Sequence, residues 1–293
     1  MLERPDHTSD DEVLAAVRDH WAPAAASVTH LAVGFGAHHW RVDDLFVTLD
    51  EPSPKHTAAT LEAAYATAAV LRAQGLELVL APLPTTTGVF THPLAAGWLS
   101  VTPWVDAPRA AAPADAALLA PLHAAPPSPG LRTWRPLVGP GLADDLARRL
   151  REPWVAGPHG EAARSALREH LDDVARWVAD YHRLAAATDP ATWVTTHGEP
   201  HERNLLAGPD GPLLVDWETV MLAPRERDLR QCGLPGDPDL LRMFDLEWRL
   251  DEISQYAAWF EQPHGDGEDD RVSLGGLRHE LTRPDPTATD AIV

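Results

Sequence analysis

The sequence contains very little cysteine and lysine, two residues that often carry chemistry. Cys232 is the single cysteine among 293 residues, which excludes an internal disulfide framework and a thiolate-rich zinc site. Lys55 is the single lysine among 24 basic residues. Any chemistry that needs a lysine must therefore use Lys55 or proceed without one.

Long apolar runs and a secretory leader are also missing. No stretch approaches the roughly 18 uninterrupted apolar residues that a membrane span needs. The first twelve residues are polar and acidic, which does not suit a signal peptide. We therefore expect a cytoplasmic protein that has no membrane partner.

Acidic residues outnumber basic ones by 44 to 24, which gives a formal net charge of -20. Such a charge repels the phosphates of nucleic acids and anionic lipids, so neither is an expected partner, whereas small cationic molecules are favoured. Solubility alone explains the same charge equally simply, because net charge says little about any one site.

Local patterns predict a small antiparallel sheet followed by helices. Ser9 and Glu12 have the spacing of a capping box and predict a short opening helix. Strand-like runs lie at 28–33, at 39–42, at 45–49, around 82–84 and around 97–99. Helical periodicity lies at 57–74, 114–123, 161–187 and 240–260. The acidic, Gly- and Pro-rich end after residue 262 is expected to be a partly disordered tail.

The strongest chemical signal is the segment 196–206, Thr-His-Gly-Glu-Pro-His-Glu-Arg-Asn-Leu-Leu, followed at 213–218 by Leu-Leu-Val-Asp-Trp-Glu. A carboxylate, Glu199, precedes an amide, Asn204, by five positions, and a strand then delivers a second carboxylate, Asp216. Phosphoryl transfer needs a group that orients the nucleophile and hard oxygen ligands for magnesium. The pattern therefore predicts a site for magnesium and a nucleotide.

These motifs resemble the aminoglycoside phosphotransferase and choline kinase family, whose catalytic loop reads His-Gly-Asp with Asn five residues after the Asp. The segment 222–229, Leu-Ala-Pro-Arg-Glu-Arg-Asp-Leu, is similar to spectinomycin-phosphotransferase-like members. The glycine hairpin at 33–42 resembles the hairpin that covers the nucleotide, and residues 103–106 resemble the hinge that meets adenine. The resemblance extends over about residues 28 to 260.

The resemblance implies an α+β, bilobal, protein-kinase-like fold that binds ATP and Mg2+. Its N-lobe, with a five-stranded antiparallel sheet, would occupy residues 1–106 and end in the hinge at 103–106. A mostly helical C-lobe with the catalytic loop and substrate pocket would occupy 107–262, and the acidic tail 263–293.

The family roles transfer residue by residue. Glu199 takes the catalytic base position, and Asn204 and Asp216 take the magnesium positions. The residues expected at the nucleotide are Gly34, Gly36, Arg41, Thr48 and Trp104. Acidic residues that include Glu218 and Glu226 line a pocket for an amine-bearing substrate or form a solvated face, and both readings stay open. Glu62 is either the helix partner of a phosphate-binding lysine or a solvated residue.

Two positions depart from the family pattern. Thr48 stands where the family places the lysine that contacts the phosphates, and Glu199 is one methylene longer than the family aspartate. Losing one preorganised charge-stabilising donor costs about 100- to 1000-fold in rate, and a displacement of about 1 Å costs about 100-fold. The candidates to compensate are Arg41, Lys55 and Arg203. Arg41 is preferred, because arginine is always charged and binds phosphate through two nitrogens.

The leading functional interpretation is transfer of the ATP γ-phosphate to a hydroxyl of a small, cationic, aminoglycoside- or aminocyclitol-like acceptor. A non-catalytic pseudokinase that binds a nucleotide or another ligand stays open, as does a different transferase chemistry on the same fold. A zinc site built from His197 and His201 conflicts with Pro200, which would interrupt the helix that such ligands need. We expect His197 to hold the loop by hydrogen bonds.

Overall fold

The computed structural model describes residues 1–5, 7–34, 36–53, 56–94 and 97–285. The chain divides into two compact units. The first combines residues 1–134 with 192–234, and the second combines 135–191 with the chain from 235 onward. The lobe boundaries expected at 106 and 262 stay a prediction.

A five-stranded antiparallel sheet forms much of the first unit. Its strands are β1 (Thr29–Leu31), β2 (Ala37–Val42), β3 (Leu45–Asp50), β4 (His92–Leu94) and β5 (Gly97–Pro103). They lie in the order β1-β2-β3-β5-β4. Because successive side chains of a strand point to opposite faces, Val47 and Leu49 share one face of β3 while Thr48 and Asp50 share the other.

Helix α1 (Asp10–His20) packs against the apolar face of this sheet. The predicted capping box is confirmed, since Glu12 N–H donates to the Ser9 hydroxyl and Ser9 N–H donates to the Glu12 carboxylate. Val13 and Val17 of the helix form a buried cluster with Val47 and other apolar residues of the sheet. Each such side chain contributes about 1.5–3 kcal/mol when fully buried. The core on this face leaves the opposite face, with Asp50, for polar contacts.

The rest of the first unit contains helices and two pairs of short strands, and the motif residues follow these strands. Helices α2 (Ala58–Ala73) and α3 (Ala116–Ala124) precede it. The paired strands are β6 (Val194–Thr196) with β9 (Met221–Ala223), and β7 (Leu205–Gly208) with β8 (Gly211–Leu214). Helix α7 (Glu226–Gln231) closes the region. Glu199 therefore follows β6, and Asp216 follows β8.

The second unit is helical in its described residues. Its helices are α4 (Leu142–Arg149), α5 (Gly160–Glu169), α6 (Leu171–Ala185), α8 (Pro238–Glu261) and α9 (Glu268–Thr282). Tyr181 of α6 donates a hydrogen bond to Glu247 of α8, and the guanidinium of Arg249 lies 4.4 Å from the ring centre of Trp177. In the part of the chain that the structure describes, no helix combines the length and the apolar character that crossing a membrane requires.

Two predicted elements are wrong. The fourth strand lies at 92–94 and not around 82–84, where Pro82 and Pro84 have no N–H to donate and only Leu83 bonds to β5. The single helix expected over 161–187 is two helices. They meet at His170, whose φ of -111° and ψ of 11° are not helical and whose ring contacts Asp173 at 3.1 Å.

Helix α9 lies in the segment expected to be a partly disordered tail. Leu277 and Leu281 are buried, and Arg283 just after the helix donates to both carboxylate oxygens of Asp245 at 2.9 Å. The acidic composition predicted disorder. Composition does not show which arginines of the same unit pair with the acidic residues. Residues 286–293 of the predicted tail lie outside the described residues.

Substituting Gly97, at the start of β5, tests whether β5 must pack closely against the backbone of β3. A Cβ at this position would collide with the backbone carbonyl of Asp50. We expect Gly97→Ala to lower the free energy of unfolding by about 1–3 kcal/mol, the usual cost of overpacking. Gly139→Ala is the matched control, because a Cβ there meets nothing within 4 Å. Urea unfolding checks the prediction, and equal stability of Gly97→Ala and the wild type would contradict it.

Candidate active site

A buried carboxylate, Asp228 of α7, holds the loop that follows β6. It is fully buried and accepts hydrogen bonds from the backbone N–H of His197 at 3.1 Å and of Gly198 at 2.6 Å. His123 of α3 contacts it through Nε2 at 2.9 Å. Burial raises the pKa of Asp228, but His123 and the nearby Arg227 outweigh this and hold the pKa below its ordinary value. The loop is therefore anchored on an ionised group.

His197 connects the loop to the strand that carries Asp216. Its Nε2 lies 2.9 Å from the carbonyl oxygen of Val215, and its Nδ1 accepts a hydrogen bond from the backbone N–H of Glu199 at 3.2 Å. Burial lowers the pKa of His197, which favours the neutral ring with its proton on Nε2. The expected loop-holding role is confirmed. Both ring nitrogens are committed, which leaves neither for the zinc ligation considered above.

Gly198 is required at its position for two reasons. Its φ of +107° suits glycine, and a Cβ would collide with the guanidinium of Arg227. Arg227 also donates to the hydroxyl of Thr196 at 3.1 Å. The guanidinium therefore lies directly against the loop backbone, one residue before Glu199.

Glu199 is the carboxylate that the loop presents. Its side chain is 29% exposed, and its Oε2 lies 3.5 Å from Nε2 of His201. Burial raises the pKa of Glu199, but His201, His197 and Arg227 outweigh it, so that the pKa lies below its ordinary value. Glu199 is therefore ionised near neutral pH and able to orient a hydroxyl or accept its proton.

Asn204 is turned so that its side-chain oxygen is available. Its Nδ2 donates to the backbone carbonyl of Glu199 at 3.2 Å. The backbone carbonyl of Asn204 accepts a hydrogen bond from the N–H of Val215 at 2.9 Å. Fixing the amide nitrogen in this way leaves Oδ1 as the group that can meet a cation.

Asp216 adopts a left-handed conformation, with φ of 70° and ψ of 60°, which is unusual for a residue other than glycine. Such backbone strain typically costs about 1–3 kcal/mol and concentrates at functional sites. Glu218 hydrogen-bonds to Asp216, and burial followed by the charge of Asp216 raises the pKa of Glu218 well above its ordinary value. The protonated form of Glu218 is therefore favoured beside Asp216.

The oxygens of Asn204 and Asp216 fit a magnesium–nucleotide complex. Magnesium usually binds one or two carboxylates and keeps waters and substrate phosphates as its other ligands. Among the described residues, no three side chains of His, Cys, Asp or Glu are grouped so as to hold a metal by themselves. The donor set thus suits a cation that arrives with phosphates.

The residues expected to surround the phosphate-binding lysine make other contacts. The hydroxyl of Thr48 lies 3.2 Å from Nδ1 of His39. The carboxylate of Glu62 accepts the N–H groups of Phe90 at 2.9 Å and Thr91 at 2.6 Å. Glu62 therefore holds the chain before β4, which neither reading of this residue anticipated.

Asp50 and Tyr65 are the pair from β3 and α2 that lies near Asp216. The Tyr65 hydroxyl donates to Asp50 at 3.3 Å. Burial and then the charge of Asp216 raise the pKa of Asp50 to about 7. An acidic residue thus lies near Asp216 on the sheet face where the family pattern predicts a lysine.

Arg41 and Trp104 contact each other at the hinge. The guanidinium of Arg41 lies 4.3 Å from the ring centre of Trp104, and its Nε donates to the carbonyl of Asp43 at 2.9 Å. In the strand register Arg41 is opposite Phe46, not Thr48. Arg41 therefore does not lie beside Thr48, although it was the preferred replacement for the lysine that is missing at that position. The indole nitrogen of Trp104 is buried without a partner among the described residues.

Gly34 and Gly36 have positive φ values of 72° and 95° at the predicted hairpin. A Cβ on Gly34 would lie 3.0 Å from Nε2 of His39, so the loop passes close over that ring. Phe35 between them and the candidate cation Lys55 lie outside the described residues.

A family model for phosphotransferase enzymes, designated APH, matches residues 27–268. The chain belongs to this phosphotransferase family. It is also 31% identical to protein StrN of Streptomyces griseus, over 71% of this chain and 73% of that protein. The family resemblance predicted from the motifs is therefore confirmed.

Three solved structures share the fold of this chain. Spectinomycin phosphotransferase APH(9)-Ia, in complex with ADP and spectinomycin, superposes with a TM-score of 0.72 at 16% identity and covers 95% of this chain and 96% of that one. Amicoumacin kinase hAmiN gives 0.58 at 8% identity, with 94% of each chain covered. A choline/ethanolamine kinase family protein from Mesorhizobium loti gives 0.57 at 18% identity and covers 95% and 96%. The predicted α+β, kinase-like fold is confirmed.

The two acidic residues predicted to contact substrate differ in exposure, since Glu226 is buried and Glu218 is half-buried. Glu226 is 5% exposed and lies 3.4 Å from Nε of Arg225. Glu218 is turned toward Asp216, with one oxygen buried and unpartnered among the described residues. The burial of Glu226 argues against a solvated face for that residue, and a place for Glu218 and Glu226 in the substrate pocket stays a prediction.

Sequence reasoning missed His123, Asp50, Tyr65 and Arg227. His123 and Asp228 are 105 positions apart, and no local pattern joins them. Arg227 lies in the segment 222–229, but no sequence pattern indicated its contact with the loop at Gly198. Their contacts depend on tertiary structure.

Removing the charge of Asp228 tests the anchor of the loop. We expect Asp228→Asn to lower the free energy of unfolding at pH 7 by about 3 kcal/mol, because a buried acceptor of three donors loses its charge. Since the native pKa is depressed, the stability that the carboxylate contributes is present above its unfolded pKa of about 3.9 and is lost as pH falls through the native value. The gap to wild type should therefore narrow below about pH 4.

Chemical denaturation at several pH values measures that gap. Asp210→Asn is the matched control, because Asp210 is exposed in the turn between β7 and β8. If Asp228→Asn were as stable as Asp210→Asn at pH 7, the loop would not depend on Asp228.

Proposed function

We propose that this protein transfers the γ-phosphate of ATP to a hydroxyl group of a small, cationic molecule of the aminoglycoside or aminocyclitol type. The observation that carries the proposal is one hydrogen-bonded network that joins the three motif residues. His197 and Asn204 both bond to the backbone of Glu199, and both bond to the backbone of Val215, next to Asp216. Positioning of this kind is most of what phosphoryl transfer requires from a protein.

Each residue has a defined task in this proposal. Glu199, ionised and partly exposed, orients the acceptor hydroxyl and takes its proton. Asn204 and Asp216 hold magnesium, which when bound neutralises charge on the phosphates. Glu218 lies beside Asp216, where its raised pKa favours the protonated form and so limits repulsion between the two groups.

Two observations support a cationic acceptor. The net charge of -20 favours the approach of cations. A solved neighbour with the same fold was crystallised with ADP and spectinomycin. Glu218 is half-buried and Glu226 is buried, so Glu218 is the more accessible of the two to the acceptor.

Product formation tests the proposed reaction. The purified protein is incubated with ATP, magnesium and a panel containing spectinomycin and related amino alcohols, and the products are followed by phosphorus NMR and mass spectrometry. We expect a monophosphorylated acceptor, and we expect Asp216→Asn to reduce the rate by at least about 100-fold. Binding of ATP without any phosphorylated product from a broad panel would favour the non-catalytic alternative. A nucleotidylated product would show a different transferase chemistry.

The pH dependence of the same reaction tests the role of Glu199. Because His201 helps to lower the pKa of Glu199, the carboxylate ionises below its ordinary range, and its protonation should limit kcat/KM only at acidic pH. Replacing His201 with Ala raises that pKa, so the acid limb of the profile should move to higher pH. His279→Ala, at an exposed position of α9, is the matched control. An unmoved acid limb in His201→Ala would show that Glu199 does not set it.

A further inference from the structure

The first unit contains ten arginines, and all of them lie within the described residues. Eight contact partners inside the protein, namely Arg4, Arg18, Arg41, Arg72, Arg132, Arg225, Arg227 and Arg230. Arg109 and Arg203 are exposed, and no hydrogen bond or ion pair joins either side chain to the described part of the chain. These two cations are therefore available to a ligand.

The backbone around Arg109 is fixed beside β7, the strand that follows the predicted magnesium ligand Asn204. Ala110 N–H donates to the carbonyl of Leu205 at 2.7 Å, and Ala207 N–H donates to the carbonyl of Pro108 at 2.8 Å. Between these bonds Arg109 pairs antiparallel with Leu206 of β7. Since β7 begins directly after Asn204, Arg109 is held two residues further along the strand from the predicted magnesium ligand.

The charge of Arg109 acts on His39, whose ring contacts Thr48, the position that lacks a lysine. The pKa of His39 is lowered to about 3, mainly by burial and further by neighbouring positive groups that include Arg109. His39 bonds to Thr48 and lies under the loop at Gly34. His39 is therefore neutral near neutral pH and supplies no positive charge of its own. Of the two unpaired arginines in the described part of the first unit, Arg109 is the one whose charge acts on His39.

We propose that Arg109 contacts the phosphates of the bound nucleotide and supplies the positive charge that Thr48 cannot. This inference rests on the proposed function, since it assumes a nucleotide in the site of Glu199, Asn204 and Asp216. Arginine suits the role because its planar fork donates two hydrogen bonds to a phosphate and stays charged at all relevant pH values. The compensating cation then comes from the segment after the hinge, not from the sheet.

Calorimetric titrations separate phosphate contacts from nucleoside contacts. Mg·ADP and adenosine are each titrated into the wild type, Arg109→Gln, Arg109→Lys and Arg203→Gln. Arg168→Gln is the matched control, at an exposed position of α5. We expect Arg109→Gln to weaken Mg·ADP binding by about 10- to 100-fold, the usual effect of losing a charged hydrogen bond. Adenosine binding should change by less than about 2-fold, and Arg109→Lys should retain part of the affinity for Mg·ADP.

Three outcomes would overturn the inference. Unchanged Mg·ADP binding by Arg109→Gln, with loss in Arg203→Gln, would assign the phosphate contact to Arg203. Equal weakening of adenosine and Mg·ADP would mean that Arg109 shapes the nucleoside pocket and does not contact the phosphates. A wild type that binds neither compound would overturn the proposed function as well, which distinguishes that failure from the failure of Arg109 alone. Because the side chain is exposed, the melting temperature of Arg109→Gln should match that of Arg168→Gln.

Discussion

The candidate site depends on one buried carboxylate. Asp228 accepts the N–H groups of His197 and Gly198 and a contact from His123, and without it two backbone donors would be buried without partners. With the backbone fixed in this way, the ring of His197 spans from Glu199 to Val215. These bonds join the loop that carries Glu199 to the strand before Asp216, which is the preorganisation that the proposed catalysis requires.

The parts of this arrangement that sequence predicts are those encoded locally. The spacing of Glu199, Asn204 and Asp216 identifies the family and the kinase-like fold because these residues lie on one continuous stretch of loop and strand. The capping box at Ser9 is likewise a local signal, and it forms as expected. Cofactor, acceptor and catalytic roles stay proposals, since a shared fold does not determine chemistry.

The parts that sequence did not predict depend on contacts between distant elements. Periodicity places Thr48 and Asp50 on one face of β3 but does not reveal that Asp50 is the residue near Asp216. Likewise α2 presents Tyr65 to this site, while Glu62 turns to the chain before β4. The burial of Glu226 also follows from tertiary packing, which composition does not contain.

Magnesium-dependent nucleotide binding tests the central claim most directly, namely that this network forms a nucleotide site. ATP is titrated by calorimetry into the wild type and into Asp216→Ala, each with and without magnesium. The account predicts binding that strengthens with magnesium in the wild type and loses that dependence in the variant, because Asp216 supplies a ligand oxygen. Equal affinity in all four titrations, or no binding by the wild type, would contradict it.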